Sequence, residues 1–422
     1  MRKKLWLIGI VAILVVVITS GFSIVKNKSN VSTEKELSFK YFQEQTNWNE
    51  NSLGYGLVRD RYPGSPNVAS LAATGFGLSA IPIGVEEGWI TKEEGKKRAE
   101  KTLDTILAME NIEGFFFHFV NMETGKREWG SELSNIDTAI LVCGALEVGE
   151  YFGETVKEKA TKIYEAINWN WFVDPSNNQF YMSYAPEKGF SGHWDFYAEQ
   201  LMLYVLGAGS PTYPINKNVY NSFTKHVSKY GQGENFIHSW FGSLFTYQFS
   251  HAWIDFRNIN DDKGINWFDN SVVASKANYD FCKDQGENFK TFKDGGWGIT
   301  ACDTPTGYDG LIGAPPSGYD NKSHKVEGTV APAGAIGSIV FTPEESKKAL
   351  DYYYSIDGLV GEYGLKDAYN LDKNWVANDY IGIDKGITLL MLQNYENQGV
   401  WNNFMKNEYV KKGLDNLNFS KK

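Results

Sequence analysis

Cysteine is scarce in this sequence, and no linker divides it. Cys143, Cys282 and Cys302 are the three cysteines among 422 residues. Their number is odd and their spacings match no metal-binding pattern, so we expect neither a disulfide framework nor a cysteine metal site. No Pro-, Ser- or Gly-rich linker, low-complexity tract or break in composition interrupts the chain. With 42% hydrophobic residues, it is expected to form one large domain after its N-terminal segment.

The sequence also lacks an excess of positive charge and several common catalytic motifs. Asp and Glu number 51 against 41 Lys and Arg, a formal net charge of −10. So acidic a chain lacks the basic surface that nucleic acid or anionic lipid needs, and an uncharged partner is favoured. There is no Gly-rich phosphate loop, no GxSxG motif and no HExxH motif. The Asp spacings match no EF-hand loop, so we expect no bound metal.

A basic and then apolar segment opens the chain. Three basic residues at positions 2–4 precede an uncharged run over residues 5–25, with its densest apolar part at 5–18. About 14 strongly apolar residues are typical of a secretory signal, and the full run also suffices to cross a bilayer, for which about 20 residues are needed. We expect export to the cell surface or the extracellular space, with a cleaved signal peptide and an uncleaved membrane anchor both open. Residues 26–36 are expected to form a polar tether, and 37–419 the folded domain.

Six pairs of helices are predicted from hydrophobic periodicity. The first member of each pair is rich in Ala, Gly, Leu and Ile, and the second carries Lys and Glu around one apolar stripe. A helix that is apolar all round must be buried on every side, whereas a striped helix buries one face. Six such pairs predict an all-α (α/α)6 toroid, in which an outer ring of helices surrounds an inner ring. The inner helices are predicted at residues 68–83, 136–148, 196–206, 240–249, 331–340 and 382–392, and the outer helices at 92–109, 155–167, 216–230, 267–284, 343–356 and 400–417.

Carboxylates lie at or near the predicted starts of several inner helices, where a toroid has its pocket. Asp137 follows Ser134 by three residues, so two roles are open. It completes a capping box, or it is a carboxylate of the pocket that the helix N-terminus keeps ionised. Glu199 is predicted one turn inside an apolar helix, where burial raises the pKa of a carboxyl group. A raised pKa suits a general acid.

Further acidic residues are expected to face the same pocket. Asp379 and Asp384 open the sixth inner helix, and Glu327 precedes the fifth. The stretch 294–318 contains ten Gly or Pro residues, so we expect a long loop without regular structure. Loops of this length in compact domains are usually functional, and this one is expected to bring Asp303 over the pocket. Asp384 is a candidate catalytic residue, and the other acids are expected to contact the substrate.

Aromatic residues make up 15% of the chain, and many fall in loops beside Gly and Asp. Most are expected to fill gaps between helices. Aromatic faces beside polar groups in a concave site are also how proteins bind the apolar C–H face of a sugar. We predict that Trp194 and Trp297, both in loops beside candidate acids, stack on sugar rings.

Ten short segments, in order along the chain, carry a family resemblance. They are Asp60-Arg61 and residues 114–119, 124–127, 134–139, 194–199, 206–211, 253–257, 297–300, 329–332 and 380–386. Together they resemble the bacterial glucoamylase-like family, which includes endo-β-1,2-glucanases and a C-terminal region of cyclic β-1,2-glucan synthases. The likeness covers about residues 36–419.

The resemblance implies an (α/α)6 fold and hydrolysis of a glucan without a cofactor. It also implies substrate-binding roles for Asp60, Arg61, His118 and Tyr197. The chain departs from the family pattern at Glu327-Gly328, where the family usually has Asp-Gly. Glu327 retains the carboxylate, but its side chain is one methylene longer than that of Asp.

We predict an exported, monomeric glycoside hydrolase acting on a glucan, with β-1,2-glucan favoured. Glu199 is the candidate acid, and Asp137 or Asp384 the base that activates water. Carboxyl groups on different inner helices favour the separation of an inverting enzyme, roughly 6.5–9.5 Å, over the roughly 5–5.5 Å of a retaining one. A lyase or epimerase on the same toroid and a glycan-binding surface protein without turnover are the alternatives. A lyase needs Arg or Lys to bind its substrate, and the pocket segments are poor in both. A glycan-binding protein without turnover is expected to have lost the carboxylates, which are present here.

Overall fold

Helices dominate the part of the chain that the computed structural model describes, residues 29–422. The segment predicted as a signal peptide or membrane anchor, 1–25, lies outside the described residues. Across 29–422, none of the helices is both long enough and apolar enough for a membrane span. The α-helices are α1 (Asn30–Glu44), α2 (Leu71–Glu86), α3 (Lys92–Ala108), α4 (Asn135–Phe152), α5 (Glu154–Glu165), α6 (Leu201–Gly209), α7 (Lys217–Asn221), α8 (Phe249–Trp253), α9 (Trp267–Asp284), α10 (Pro332–Ile336), α11 (Pro343–Tyr353), α12 (Gly382–Asn397), α13 (Gly399–Phe404) and α14 (Glu408–Asn416).

Short strands and three 3₁₀ helices connect the α-helices of residues 29–422. The 3₁₀ helices are Trp169–Phe172, Leu244–Tyr247 and Lys290–Gly295. The strands are β1 (Arg61–Tyr62), β2 (Val68–Ser70), β3 (Phe119–Asn121), β4 (Leu133–Ser134), β5 (Val173–Asp174), β6 (Gln179–Ala185), β7 (Gly189–His193), β8 (Val227–Ser228), β9 (Phe236–Ile237), β10 (Ile259–Asn260), β11 (Cys302–Thr304), β12 (Gly307–Asp309), β13 (Val360–Gly361), β14 (Gly364–Leu365), β15 (Tyr369–Asn370), β16 (Trp375–Val376), β17 (Tyr380–Ile381) and β18 (Ser420–Lys421). Most of them form two-stranded antiparallel sheets. One sheet has four strands, in which β6 pairs with β4, β5 and β7.

An inner ring of α2, α4, α6, α8, α10 and α12 confirms the predicted (α/α)6 toroid. Helix α2 buries every residue from Leu71 to Gly84, whereas its outer neighbour α3 buries a single stripe. The ring closes because α12 packs against both α10 and α2. Since the inner helices start on one side, the segments that precede them form the mouth of the toroid. Cys143 is fully buried in α4 and is a core residue.

Glycine brings two inner helices into backbone contact. A Cβ atom at Gly144 of α4 would lie 2.1 Å from the carbonyl oxygen of Gly75 of α2, and one at Gly75 would lie 2.4 Å from the carbonyl oxygen of Ile140. Real Cβ atoms do not approach so closely, so a larger residue at either position would push the helices apart.

The third and fourth inner helices start later than predicted. Helix α6 begins at Leu201 because the preceding segment bonds across to another chain segment, with the Tyr197 N–H donating to the Thr224 carbonyl at 3.1 Å. Helix α8 is preceded by Gly242, whose φ of +67° interrupts the predicted helix over 240–249. These segments therefore lie in the mouth, and Glu199 belongs to the turn before α6.

The third outer helix is also shorter than predicted. Helix α7 ends at Asn221, and the rest of the segment 216–230 leaves the helix to form a bridge to Phe196 and then strand β8, which pairs with β9. The Gly-rich stretch 294–318 contains regular structure after all, because β11 and β12 form a hairpin. Its turn is Pro305-Thr306, and Gly307, which follows the turn, has a φ of +116°. This hairpin carries Asp303 to the mouth.

The sixth outer position is filled by α1, in contrast to the prediction. Helix α1 starts at Asn30, inside the segment 26–36 that we expected to be a tether, and it packs against α12. The predicted sixth outer helix, 400–417, is instead divided into α13 and α14, which cover the far ends of the inner helices. Asn403 of α13 donates to the Glu147 carbonyl of α4 at 3.0 Å, and Asn416 of α14 donates to the Ala208 carbonyl of α6 at 2.8 Å.

Candidate active site

A cleft of two cavities crosses the mouth, and Glu199 and Phe245 line both of them. The first cavity, of about 400 Å³, includes Trp194, Tyr197 and Trp240 in its lining. The second, of about 390 Å³, is lined by four of the other polar residues that we predicted: Asp60, Arg61, His118 and Asp137. A narrower cavity of about 40 Å³ shares Phe245 and Tyr308 with the second and reaches Asp384.

Glu199 lies at the junction of the two larger cavities. It is partly buried in the turn before α6, and its backbone carbonyl accepts a hydrogen bond from the Ser250 hydroxyl at 2.5 Å. Burial raises the pKa of its carboxyl group to about 7, with a smaller contribution from the charge of Asp137. A carboxyl group that holds its proton near neutral pH is able to donate that proton to a leaving group.

Asp137 forms a charged cluster with His118 and Glu132. Asp137 lies in the first turn of α4, and its N–H donates to the Ser134 hydroxyl at 3.2 Å, which makes Ser134 the N-cap. Asp137 does not complete the predicted capping box, because the Ser134 N–H donates to the Phe116 carbonyl at 3.3 Å. His118 Nε2 lies 3.5 Å from Asp137 Oδ1, and its Nδ1 lies 2.9 Å from Glu132 Oε1. Burial opposes protonation of His118, but the carboxylates of Asp137 and Glu132 outweigh it and raise the pKa of the imidazole to about 9. The imidazolium therefore balances the charge of Asp137.

Asp384 faces a second carboxyl group, that of Asp367, which the sequence analysis missed. Asp384 lies in the first turn of α12, and burial raises its pKa to about 6. Asp367 is 3% exposed in the loop between β14 and β15, and burial together with Asp384 raises its pKa well above the usual range. No motif marks Asp367 in the sequence, so only the fold reveals it.

Arg61 holds three of the predicted acidic residues together. Its Nη1 lies 3.1 Å from both carboxylate oxygens of Asp303 and 3.2 Å from Asp379 Oδ2. Its Nε lies 3.7 Å from Asp60 Oδ2. Strand β1 pairs with β17, so Arg61 stands opposite Ile381 at the start of α12. The cluster thus joins Arg61 to a residue 318 positions away, and the guanidinium is neutralised by its own neighbours.

Four predicted residues line none of these three cavities. Asp303 and Asp379 are held by Arg61, which does line the cleft, whereas Trp297 and Glu327 lie away from it. Trp297 is 1% exposed, donates to the Glu345 carbonyl at 3.4 Å, and lines a separate cavity beside α9. The prediction that it stacks on a sugar is wrong, because its ring fills a gap between helices. Glu327 lines none of the three cavities and forms an ion pair with Lys373 at 2.9 Å. Burial opposes ionisation of Glu327, but the bonds from Lys373 and Thr329 lower its pKa.

Two other predicted aromatic residues line the first cavity but are largely covered. Trp194 is 5% exposed, and its Nε1 donates to Asn135 Oδ1 at 3.1 Å. Tyr197 is 1% exposed and stacks on Trp267 with 4.8 Å between ring centroids. Their rings form part of the cleft wall, but little of either ring face is exposed for a sugar to stack on.

The exposed rings of the cleft are ones that the sequence analysis did not select. Trp240, in the first cavity, is 38% exposed and contacts Tyr319 edge-on at 5.6 Å. Trp129, in the second, is 63% exposed, and its φ of +52° is unusual for a bulky residue. Such backbone strain is often found at functional sites. An exposed tryptophan therefore lies on each side of Glu199.

Comparison with known proteins gives one family and several relatives. Residues 191–408, just over half of the chain, match the Glycoamylase family, described as "Putative glucoamylase". The chain is 28% identical over 425 residues to an exo β-1,2-glucooligosaccharide sophorohydrolase (non-reducing end) of Parabacteroides distasonis. That match covers 91% of this chain but 57% of the relative, so the chain spans little more than half of the length of that protein.

Solved structures with the same architecture are also similar in sequence. An endo-β-1,2-glucanase of Chitinophaga pinensis, in complex with sophorotriose and glucose, is 26% identical with a TM-score of 0.83, over 93% of this chain and 98% of that chain. A β-1,2-glucanase of Parabacteroides distasonis is 26% identical with a TM-score of 0.82, over 92% of this chain and 59% of that chain. These overlaps confirm the toroidal fold.

Proposed function

The chain belongs to the Glycoamylase family, and from this premise we propose that it is a glycoside hydrolase that cleaves β-1,2-glucan. The linkage is inferred from its relatives, two of which are β-1,2-glucanases and one a hydrolase of β-1,2-glucooligosaccharides. The observation that carries the proposal is the position of Glu199, a carboxyl group with a pKa of about 7 midway along a cleft with polar walls and aromatic rims.

Hydrolysis at this site requires one protonated and one ionised carboxyl group. Glu199 donates its proton to the glycosidic oxygen as the bond from that oxygen to the anomeric carbon breaks. A water molecule forms a new bond to the anomeric carbon and gives a proton to the base. Both products are neutral sugars with free hydroxyl groups. Exchange with solvent then removes the proton from the base and returns one to Glu199.

We assign the base to Asp384 in preference to Asp137. Asp137 is balanced by the His118 imidazolium at 3.5 Å. The neighbour of Asp384 in the chain, Lys385, directs its ammonium group to Glu34 at 2.7 Å, away from the cleft. Asp384 thus keeps a carboxylate that is free to accept a proton from water. Because Glu199 precedes α6 and Asp384 begins α12, the two carboxyl groups lie at the starts of different inner helices, and we expect inversion at the anomeric carbon.

The proposal is tested by incubating the protein with linear β-1,2-, β-1,3- and β-1,4-glucans and with α-glucans, and by measuring new reducing ends. Release from β-1,2-glucan in preference to the others is expected. Binding of a glucan without release of reducing ends would instead favour a glycan-binding protein. A product that absorbs ultraviolet light, formed from a uronic acid polymer, would favour a lyase.

The plot of reaction rate against pH should be a narrow bell-shaped curve. Glu199 acts in its protonated form, so the rate is expected to fall as the pH rises through about 7. Asp384 acts in its ionised form, so the rate is expected to fall as the pH drops through about 6. The two limbs are measured as kcat/KM on β-1,2-glucan oligomers across the pH range. A rate that keeps rising well above the Glu199 pKa would contradict its role as the acid.

The exposed tryptophans are expected to bind sugar rings. Trp129→Ala and Trp240→Ala should each raise KM by about 2- to 10-fold, since a ring contact contributes about 0.5–1.5 kcal/mol. Tyr213→Ala is the matched control, because Tyr213 is 44% exposed but lies outside the cleft. Unchanged KM in both cleft variants, with melting temperatures like the control, would remove these residues from the substrate site.

We also propose that the protein is exported. The three basic residues at positions 2–4 and the uncharged run 5–25 support this, and a glucan substrate outside the cytoplasm is consistent with it. Fractionation of cells that express the full chain, with a variant lacking residues 2–25 as control, tests export. Retention of the full chain in the cytoplasm would contradict it.

A further inference from the structure

The carboxyl group of Asp367 contacts that of Asp384, but Asp367 lines none of the three cavities. Its side chain is 3% exposed, and its Oδ2 accepts a hydrogen bond from the Asp303 N–H at 2.7 Å. Its backbone N–H donates to the Asp379 carbonyl at 3.0 Å, which fixes the loop. Asp367 is therefore held rigidly against the Arg61 cluster and does not touch the cleft.

The hydrogen bonds of Asp367 are incomplete unless it carries a proton. Its Oδ1 is buried and has no N–H or ammonium donor in residues 29–422. A buried carboxylate oxygen without a donor is costly, by about 1–3 kcal/mol or more. The carboxyl group next to it belongs to Asp384, and two adjacent carboxyl groups do not both ionise readily. A single proton between them satisfies both.

The surroundings favour Asp367 as the group that holds this proton. Asp384 lies in the first turn of α12, where no side chain caps the free N–H groups, and this positive helix end favours the ionised form. The positive charges of Lys385 and Arg61 act on Asp384 in the same direction. The titratable and charged groups around the pair are Arg61 on β1, Cys302 and Asp303 on β11, Tyr308 on β12, and Lys385 on α12.

We propose that Asp367 is a positioning residue that stays protonated and donates its O–H to the Asp384 carboxylate. The hydrogen bond holds Asp384 ionised and aimed into the narrow cavity, where a water molecule would be activated. This inference rests on the proposed function, in which Asp384 is the base. Asp367 itself exchanges no proton with substrate or water.

Asp367→Asn is the informative variant, because Asn is uncharged like a protonated Asp. Its amide oxygen accepts the Asp303 N–H, and its amide nitrogen donates to Asp384. We expect kcat to stay within a few-fold of the wild type. We also expect the acid limb of the pH profile, which is the fall in rate at low pH, to stay at the same pH. If Asp367 were ionised instead, loss of its charge would move the acid limb to lower pH by about one unit or more, and that result would overturn the proposal.

Asp367→Ala removes the donor and should lower kcat by about 10- to 100-fold, a range typical of residues that orient a reactive group. KM should change little, and the acid limb should move to higher pH, since Asp384 loses a bond to its ionised form. Wild-type kcat with an unshifted acid limb would contradict the proposal. If the Ala variant does not fold, the Asn variant alone decides the question.

A titration that does not depend on activity separates this inference from the proposed function. In protein labelled with ¹³C at the Asp carboxyl groups, we expect one carboxyl signal to remain that of a protonated acid at pH 7. That signal should be absent from Asp367→Asn. If every Asp carboxyl signal is ionised at pH 7, the inference fails even when β-1,2-glucan is cleaved. If the signal is present but no glucan is cleaved, the proton assignment holds and the proposed function fails.

Discussion

Replacing Glu199 by Gln is expected to lower kcat by about 10²- to 10⁴-fold, the usual contribution of general acid–base catalysis, or by more. Gln has the same shape as Glu and keeps its hydrogen bonds, but it has no acid proton to give to the leaving oxygen. The fold and the affinity for glucan should stay nearly unchanged. The measurement is single-turnover hydrolysis of a β-1,2-glucan oligomer, with binding of the same oligomer followed by calorimetry.

Asp384→Asn and Asp137→Asn complete this experiment. If Asp384 is the base, its Asn variant should lose as much activity as Glu199→Gln, and Asp137→Asn should be milder. Azide is able to take the place of an activated water but supplies no proton, so it should restore turnover only to the base variant. Should Glu199→Gln retain more than about a tenth of the wild-type rate, a loss below the usual contribution of an acid, Glu199 would not be the acid.

The largest effect on stability is expected from Lys385→Met. Lys385 and Glu34 form an ion pair at 2.7 Å with side chains that are 3% and 0% exposed. Lys385 also donates to the carbonyls of Tyr363 and Leu365 at 2.8 and 2.9 Å. Removing the ammonium group leaves a buried negative charge at Glu34, and breaking a buried pair in this way costs about 3–5 kcal/mol. Urea unfolding measures the loss.

Two further variants make this prediction specific. Lys347→Met breaks an exposed pair with Glu344 and should cost at most about 1 kcal/mol. The double variant Glu34→Gln/Lys385→Met removes both charges and should recover much of the lost stability. The Tyr354 hydroxyl and the Leu365 N–H, which donate to Glu34, still find an acceptor in the amide oxygen of the substituted side chain. If Lys385→Met unfolds at the same urea concentration as Lys347→Met, the pair does not anchor α1.

The fold could be predicted because helices that are apolar on every side must be buried in the interior of the domain. Helix α2 has no charged residue between Leu71 and Val85, and its burial on all sides follows from that alone. Helix α1 could not be found in this way. Glu34 and Lys35 indicate a solvated segment when only their neighbours in sequence are considered, yet both are buried, and the partner of Glu34 lies 351 positions away.

The candidate site could be predicted where a carboxylate begins an inner helix, as at Asp137 and Asp384. Glu199 was selected for a raised pKa inside a helix, and burial does raise it, although the residue precedes the helix. Trp297 could not be told from a binding residue, because a loop tryptophan that fills a gap has the same local sequence as one that faces a cleft. Asp367 could not be selected, since its role depends on a neighbour from another segment.

The closure of the outer ring by α1 has a consequence for how the chain folds. Helix α1 begins at Asn30, but the helix that it packs against, α12, begins at Gly382. Contacts so distant in sequence form late, because a long loop must close first. During synthesis the face of α1 that carries Glu34 therefore cannot pack against α12 until almost the whole domain has left the ribosome. We expect the toroid to close after translation, in a single late step that joins the two ends of the ring.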